Sequence, residues 1–300
     1  MGEIRVGTCS WTDKALVGSG WYPPGQGGSE GRLRFYATRF SVVEVDSTYY
    51  GLPSLRNSVL WTERTPVGFR FDVKAFSLLT GHPTRPAALP VELRTALERE
   101  RYRAREDRAG SDPGLLDEVW ERFSGALLPL RAGGRLGTLL FQFPPWFAPK
   151  GESVAFLRRA RERASGWPMA VEFRDPAWWA GERASGTAAL LTELGVGAVA
   201  VDMIQGLPAS MPPVTPVTDS ALAVVRFHGR SAAWGTGGKE DRFRHRYGRE
   251  ELAEWLPRIR TLAERVREVH VLFNNCCGDA AVGAAETMAE LLGGAVVTFP

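Results

Sequence analysis

Polar residues spaced two apart stand at the ends of several short apolar runs in this chain. The pairs are Glu44 with Asp46, Glu172 with Arg174, and Arg226 with His228. Residues i and i+2 of a strand point to the same face, so each pair directs two polar groups the same way. Carboxylates beside arginine and histidine suit proton transfer and the binding of an anion.

These pairs end three of eight apolar runs that the sequence predicts as strands. The runs are Ile4–Cys9, Val42–Asp46, Phe69–Lys74, Gly137–Gln142, Met169–Phe173, Ala198–Asp202, Ala223–His228 and Val269–Asn274. Helix-like stretches such as Leu115–Leu130 separate most of them, which indicates parallel strands joined by crossovers. Eight such units in 300 residues predict an α/β fold, a closed (β/α)8 barrel of the TIM type. A doubly wound open sheet is the alternative, although no G-x-G-x-x-G follows the first strand.

Two long connections interrupt the alternation of strands and helices. Residues 76–135 form a long insertion after the third strand, with a proline-rich start and a charge-rich stretch over 98–112. Residues 229–248 follow the seventh strand and predict a flexible, basic loop. Long insertions after barrel strands are often lids or binding loops, and otherwise solvated excursions. We expect one barrel domain over residues 1–300, with no linker.

The composition, 44% hydrophobic and 24% charged, is that of an ordinary globular protein. A net charge of +3 gives only weak support for a polyanionic partner. An odd number of cysteines (Cys9, Cys276 and Cys277) argues against a disulfide framework, and two adjacent cysteines without nearby histidine are weak candidates for a soft metal. With no apolar leader and no apolar run near the roughly 18 residues of a membrane span, we expect a cytoplasmic protein without membrane contact. No pattern predicts its oligomeric state.

Seven motifs, in order along the chain, resemble those of the DUF72 (YecE-like) family. They are residues 7–11 (GTCSW), 43–50 (VEVDSTYY), 69–75 (FRFDVKA), 140–145 (LFQFPP), 171–178 (VEFRDPAW), 225–229 (VRFHG) and 273–275 (FNN). The resemblance implies a TIM barrel and supplies no reaction. Two positions depart from the family pattern: Asp46 stands where Asn is usual, and residues 276–278 (CCG) replace a turn that commonly contains Asp.

In such a barrel the strand ends converge on the C-terminal mouth, where we expect the site. The candidate catalytic residues are Glu44, Glu172, Asp202 and His228. The candidate substrate-binding residues are Lys74, Gln142, Arg174, Arg226, Asn274, Trp11, Tyr49 and Trp178. Arginine suits bidentate binding of phosphate or carboxylate, and TIM barrels often hold a phosphate near the loops after strands seven and eight.

Individual positions add three expectations. Ala198 and Ala200 share a strand face with Asp202, and such small side chains would leave room for a pocket beneath the carboxylate. The neighbouring Arg226 would keep His228 neutral and able to accept a proton. Cys9 is expected to be a small buried residue rather than a nucleophile.

These residues favour an enzyme, with a hydrolase as the expected class, that binds an anionic, phosphate-bearing small molecule or nucleic-acid fragment. One carboxylate would act as general base, and the arginines would stabilise developing negative charge. Nucleic acid is only weakly supported as a partner, and no cofactor or metal is predicted.

Several alternatives stay open. A glycoside hydrolase would use two carboxylates, such as Glu44 with Glu172. A metal-dependent hydrolase or isomerase would hold Mg²⁺ or Mn²⁺ with Glu172, Asp202 and His228. The abundant arginines count against both. The remaining alternatives are a non-catalytic ligand-binding or regulatory protein and a buried ion-pair network that only closes the barrel.

Overall fold

A closed barrel of eight parallel strands forms the centre of the structure, a computed structural model that describes residues 1–98, 113–234, 238–275, 277–293 and 296–299. The strands are β1 (Glu3–Cys9), β2 (Val42–Val45), β3 (Arg70–Lys74), β4 (Leu136–Gln142), β5 (Met169–Glu172), β6 (Gly197–Asp202), β7 (Leu222–Phe227) and β8 (Glu268–Phe273). Each strand pairs with the next, and β8 pairs with β1. The predicted barrel is confirmed, and every strand lies within one residue of its predicted bounds.

Helices follow the strands and pack on the outside of the barrel, where α7 contacts β6, α10 contacts β8 and α11 contacts β1. They are α1 (Lys14–Gly18), α2 (Ser29–Arg39), α3 (Leu55–Glu63), α4 (91–98), α5 (Pro113–Ala132), α6 (Gly151–Arg163), α7 (Arg183–Leu194), α8 (Lys239–Arg242), α9 (Arg249–Ala253), α10 (Leu256–Arg265) and α11 (Ala280–Leu292). Short 3-10 turns cover Asp46–Tyr49, Ser77–Thr80, Pro86–Ala88, Pro176–Trp179 and Ala232–Trp234. Within the described ranges no helix is long and apolar enough to cross a bilayer.

The two long connections contain regular structure of their own. The insertion after β3 includes α4 and α5, and α5 packs along α3. The loop after β7 includes a 3-10 turn and α8. Most of the charge-rich stretch, residues 99–112, lies outside the described residues, as do residues 235–237 and Cys276 of the predicted soft-metal pair.

Strand register determines which side chains fill the barrel, because paired residues of neighbouring parallel strands point to the same face. Glu44 pairs with Cys9 on one side and with Asp72 on the other, and all three point inward. Towards the N-terminal end, His270 Nδ1 lies 2.9 Å from Asp72 Oδ1. Burial opposes a charge on His270, but Asp72 and Glu268 together raise its pKa above the ordinary value. A polar layer therefore fills the lower barrel, and the candidate site lies above it.

Candidate functional site

Polar side chains fill the C-terminal mouth of the barrel in two layers. The lower tier is buried and consists of Cys9, Glu44, Glu172, Arg226, His228 and Asn274. The upper tier is partly exposed and consists of Asp46, Lys74, Gln142 and Arg174. The structure thus brings together most of the residues that the sequence predicted for this mouth, and it separates those that a ligand can reach from those beneath.

Arg226 on β7 joins the two carboxylates of the lower tier. Its Nη2 lies 2.6 Å from Glu44 Oε1, and its Nη1 pairs with Glu172 Oε2. All three side chains are completely buried. Burial opposes the charge on Arg226, but the carboxylates hold its pKa well above the usual value. Arg226 was predicted to bind substrate, whereas here its guanidinium is committed to protein carboxylates below the opening.

Glu172 on β5 uses both of its oxygens. Oε2 pairs with Arg226, while Oε1 contacts Arg174 and lies 3.1 Å from His228 Nε2. Although burial raises the pKa of Glu172, its two arginine partners hold that pKa well below the usual range. Glu172 is therefore an ionised carboxylate with no free oxygen.

His228 follows β7 and is held at both ring nitrogens. Nδ1 lies 3.0 Å from the Asn274 amide nitrogen, and Nε2 lies 3.1 Å both from Glu172 Oε1 and from Arg174 Nη2. Burial, and then the charge of Arg174, lowers the pKa of His228 to about 3. The ring is therefore neutral, as expected. It lacks the free nitrogen that the predicted proton acceptor requires, and it positions Glu172 instead.

Glu44 and Asp46 form a carboxyl pair at the end of β2. One oxygen of each lies within 4.8 Å of the other and of Cys9 Sγ. Glu44 Oε2 is buried without a hydrogen-bond partner, and Asp46 Oδ1 is ion-paired with Lys74 Nζ, 3.2 Å away. A single proton between the two carboxyl groups gives Glu44 Oε2 a partner, as in other buried carboxyl pairs.

The surroundings place that proton on Glu44. Burial raises the pKa of Glu44 to about 8, more than the nearby Arg226 can offset. Burial acts in the same direction on Asp46, but Lys74, whose Nζ lies 3.2 Å away, and Arg226 lower the pKa of this carboxyl. At neutral pH Glu44 is therefore an acid and Asp46 a carboxylate.

The upper tier presents two cations beside aromatic rings. Lys74 Nζ lies 5.1 Å from the centre of the Tyr49 ring, and Arg174 Cζ lies 5.8 Å from that of Trp234. Arg174 Nη2 also donates to Gln142 Oε1 at 3.3 Å. Sequence reasoning included Tyr49 and missed Trp234, because Trp234 follows its strand by several residues and no strand periodicity marks it.

Asp202 does not belong to this cluster. Register pairs Val201 with Arg226, which points inward, and pairs Asp202 with Phe227, which points outward. Asp202 and the alanines of its face therefore point towards the helices, and the pocket predicted beneath this carboxylate is not there. The end of β6 was predicted correctly, but Asp202 was assigned to the wrong face of that strand.

The carboxylate of Asp202 anchors the loop that follows β7. It accepts hydrogen bonds from Arg230 Nη2 at 2.8 Å, from the Tyr247 hydroxyl at 2.6 Å and from Trp255 Nε1 at 2.7 Å. These donors occupy it fully, so its role is structural.

Both tryptophans that were predicted to bind substrate, Trp11 and Trp178, pack in the core instead. Trp11 contacts the rings of Trp61 and Phe71 edge-on, with centroids 5.7 and 6.1 Å away. Trp178 stacks on Phe173 at 4.1 Å and donates its indole N–H to the Phe147 carbonyl at 2.6 Å. Neither ring faces the opening.

Among the described residues, one group has the spacing to supply three metal ligands: Cys9, Glu44 and Asp46. Two cations already occupy these ligand atoms. Arg226 Nη2 lies 3.6 Å from Cys9 Sγ and 2.6 Å from Glu44 Oε1, and Lys74 contacts Asp46. A divalent cation here would face both positive charges, so the donor set does not fit one well.

Comparison with known proteins yields one family. The family described as "Protein of unknown function DUF72" matches residues 5–299. The chain is 31% identical to UPF0759 protein YunF of Bacillus subtilis (strain 168) over 295 residues, 96% of this chain and 94% of the relative. Its fold is similar to crystal structures of DUF72 family proteins from Thermotoga maritima MSB8 (TM-score 0.76, 29% identity, 97% and 99% of the two chains) and Enterococcus faecalis V583 (0.76, 25%, 97% and 98%).

Proposed function

The chain belongs to the DUF72 family, and we propose that its barrel mouth binds a phosphate-bearing small molecule or nucleic-acid fragment and hydrolyses it by acid–base catalysis. The observation that carries this proposal is the buried Glu44–Asp46 carboxyl pair beside two partly exposed cations, and we infer from the raised pKa of Glu44 that the pair shares one proton.

The charges of the two tiers favour an anion. Three carboxyl groups, Glu44, Asp46 and Glu172, face three cations, Lys74, Arg174 and Arg226. With Glu44 protonated, the cluster carries one positive charge in excess. Since Arg226 is fully buried, the excess charge is accessible through the two upper-tier cations. A phosphate group placed between them would be held by charge-assisted hydrogen bonds.

The carboxyl pair supplies the proton for hydrolysis. Water attacks phosphorus, the bond from phosphorus to the leaving oxygen breaks, and that oxygen takes the proton of the pair through Asp46, which reaches the mouth. The attacking water loses one proton as it becomes part of the product phosphate, and that proton returns to the carboxyl pair and restores it. A carboxyl group with a pKa of about 8 still holds its proton at neutral pH. Lys74 and Arg174 would stabilise the charge that develops on the phosphoryl oxygens.

The arrangement disfavours the glycosidase alternative. In that mechanism one carboxylate must be free to attack the sugar or activate water. Here Arg226 bridges Glu44 and Glu172, and Glu172 has no unpaired oxygen.

Calorimetric titration with inorganic phosphate, a hexose phosphate and a short single-stranded oligonucleotide tests the binding. Lys74→Met and Arg174→Ala should each weaken phosphate binding about tenfold or more, because each removes a charge-assisted contact. Arg158→Ala is the matched control, since Arg158 pairs with Glu193 on the helical surface. Phosphate affinity should also fall as pH rises through about 8, where Glu44 ionises and cancels the excess charge.

Release of inorganic phosphate from the tightest-binding ligand tests the chemistry. Glu44→Gln should keep the affinity and lose turnover, because its amide preserves shape and neutrality but donates no proton to a leaving group. Equal affinity in wild type, Lys74→Met and Arg174→Ala would overturn the anion site. Undiminished turnover in Glu44→Gln would overturn the role of the carboxyl pair.

A further inference from the structure

Three aromatic side chains, Tyr49, His82 and Trp146, form a continuous row at the mouth, here called the aromatic wall. The ring centroids of Tyr49 and His82 are 5.2 Å apart, and those of His82 and Trp146 are 6.0 Å apart. They come from the connections after β2, β3 and β4. Lys74 lies 5.1 Å from the Tyr49 ring, so the wall begins beside an upper-tier cation.

Trp146 is the most accessible member, with 64% of its surface exposed. Its loop is nevertheless well anchored. Pro144 and Pro145 precede it and restrict the backbone, and the next residue, Phe147, stacks on Phe143 with centroids 4.2 Å apart. The indole is therefore held out at the rim by rigid neighbours.

His82 contributes an uncharged ring. Burial, followed by the charges of Lys74 and Arg174, lowers its pKa to about 4, so the imidazole is neutral at physiological pH. Thr80 Oγ1 lies 2.8 Å from its Nδ1 and fixes the ring. The wall thus offers π surfaces without adding a charge, while the neighbouring cations attract an anion.

We propose that the ligand of this mouth carries a planar aromatic or heteroaromatic ring a few bonds from its phosphate group, and that this ring packs against the aromatic wall. This inference rests on the proposed function, because it takes the phosphate to lie between Lys74 and Arg174. The spacing supports it: the ammonium group that would hold the phosphate lies directly over the first ring of the wall. Aromatic pairs prefer stacked or edge-on contacts, which a flat ring makes and a puckered ring does not.

Three probes that each carry one phosphate group separate the two proposals: inorganic phosphate, phenyl phosphate and cyclohexyl phosphate. In Glu44→Gln, which should bind without turnover, calorimetry should show phenyl phosphate binding about tenfold tighter than cyclohexyl phosphate, from aromatic pairing at about 1.4 kcal/mol per factor of ten. The Trp146 variants are made in this same background. Trp146→Leu should bring that ratio close to one, and Trp146→Phe should restore most of it. Neither variant should change the affinity for inorganic phosphate, and both should fold, because the side chain is mostly exposed.

The outcomes are distinct. If no phosphate binds, the proposed function is wrong and this inference fails with it. If all three probes bind with equal affinity, the anion site stands and the ring subsite is wrong. Tighter binding of cyclohexyl phosphate, or of a hexose phosphate, than of phenyl phosphate would likewise overturn the ring, in favour of a non-aromatic group. A ratio that survives Trp146→Leu would overturn the wall as its source.

Discussion

Replacing Glu44 by glutamine should change the pH dependence of stability more than the stability itself. The side chain is completely buried, accepts a hydrogen bond from Arg226 and lies beside Asp46. Because Glu44 is protonated at neutral pH, a glutamine amide reproduces its shape, its neutrality and its donor towards Asp46. At about pH 4.5 and below, where this carboxyl group is largely protonated in both the folded and the unfolded state, we therefore expect Glu44→Gln to unfold within about 1 kcal/mol of the wild type. At pH 6 the variant should already be the more stable of the two by about 2 kcal/mol, because the unfolded wild type ionises at this position.

The magnitude follows from the two states of the carboxyl group. Its pKa rises from 4.5 to about 8 on folding, which corresponds to about 5 kcal/mol. Since the folded pKa is raised, this stabilisation is fully present below the unfolded pKa of 4.5. It is lost progressively as pH rises from there through the folded pKa of about 8. The wild type should lose up to about 1.4 kcal/mol per pH unit within that window through Glu44, and Glu44→Gln should lose none of it.

Urea unfolding followed by tryptophan fluorescence, at several pH values between about 4.5 and 8.5, measures the free energy of unfolding and its change with pH. Glu172→Gln is the matched control, because Glu172 is equally buried and also pairs with Arg226 but is ionised. Removing the negative charge of Glu172 leaves Arg174 and Arg226 without this counter-ion, and it should lower the free energy of unfolding by about 3–5 kcal/mol at neutral pH. If Glu44→Gln costs as much as Glu172→Gln, or if its stability falls with pH as steeply as that of the wild type, the protonated carboxyl is refuted.

Three further predictions concern the barrel. His270 has a raised pKa, so the stability that it contributes is fully present below about pH 6.5 and is lost as pH rises through the folded pKa. In chemical unfolding, His270→Gln should therefore be less stable than the wild type near pH 5.5, and the difference in free energy of unfolding should narrow at higher pH. A difference that stays constant with pH would contradict this role. Gly137→Ala would place a Cβ 2.2 Å from a buried carboxylate oxygen and should lower the melting temperature. Gly186→Ala, in open space on α7, should raise the melting temperature because it stabilises the helix by about 1 kcal/mol, and equal effects of the two variants would refute this packing. Tyr247→Phe removes the hydroxyl bound to Asp202 and should cost about 1–3 kcal/mol in urea unfolding; a neutral result would mean that this hydroxyl does not anchor the loop.

The barrel could be predicted from the sequence because each strand carries its own signal. Short apolar runs appear eight times, most of them separated by helical stretches, and polar residues stand at the ends of several of these runs. The inward face of β2, β5 and β7 was also predictable in part, since a pair of charges two residues apart at a strand end shares one face.

The errors arose where periodicity leaves the direction of a face undetermined. Alternation showed that Asp202 shares a face with two alanines, and it did not show whether that face points inward. Pairing of Asp202 with Phe227 on β7 decides this, and such register depends on the whole barrel. His82 and Trp234 lie in connections whose course depends on long-range contacts, so no local pattern could place them at the mouth.

Burial adds the other distinction that a sequence does not contain, the charge state of each carboxyl group. Glu44 and Glu172 are the same residue type, occupy equivalent strand ends and share Arg226. Glu172 faces a second arginine and stays ionised, while Glu44 faces the carboxylate of Asp46 and takes up a proton. A strand-end pattern predicts two equivalent glutamates, but their neighbours make one a fixed counter-ion and the other an acid. The chemistry we propose depends on that asymmetry, because only a carboxyl group that keeps its proton at neutral pH can donate it.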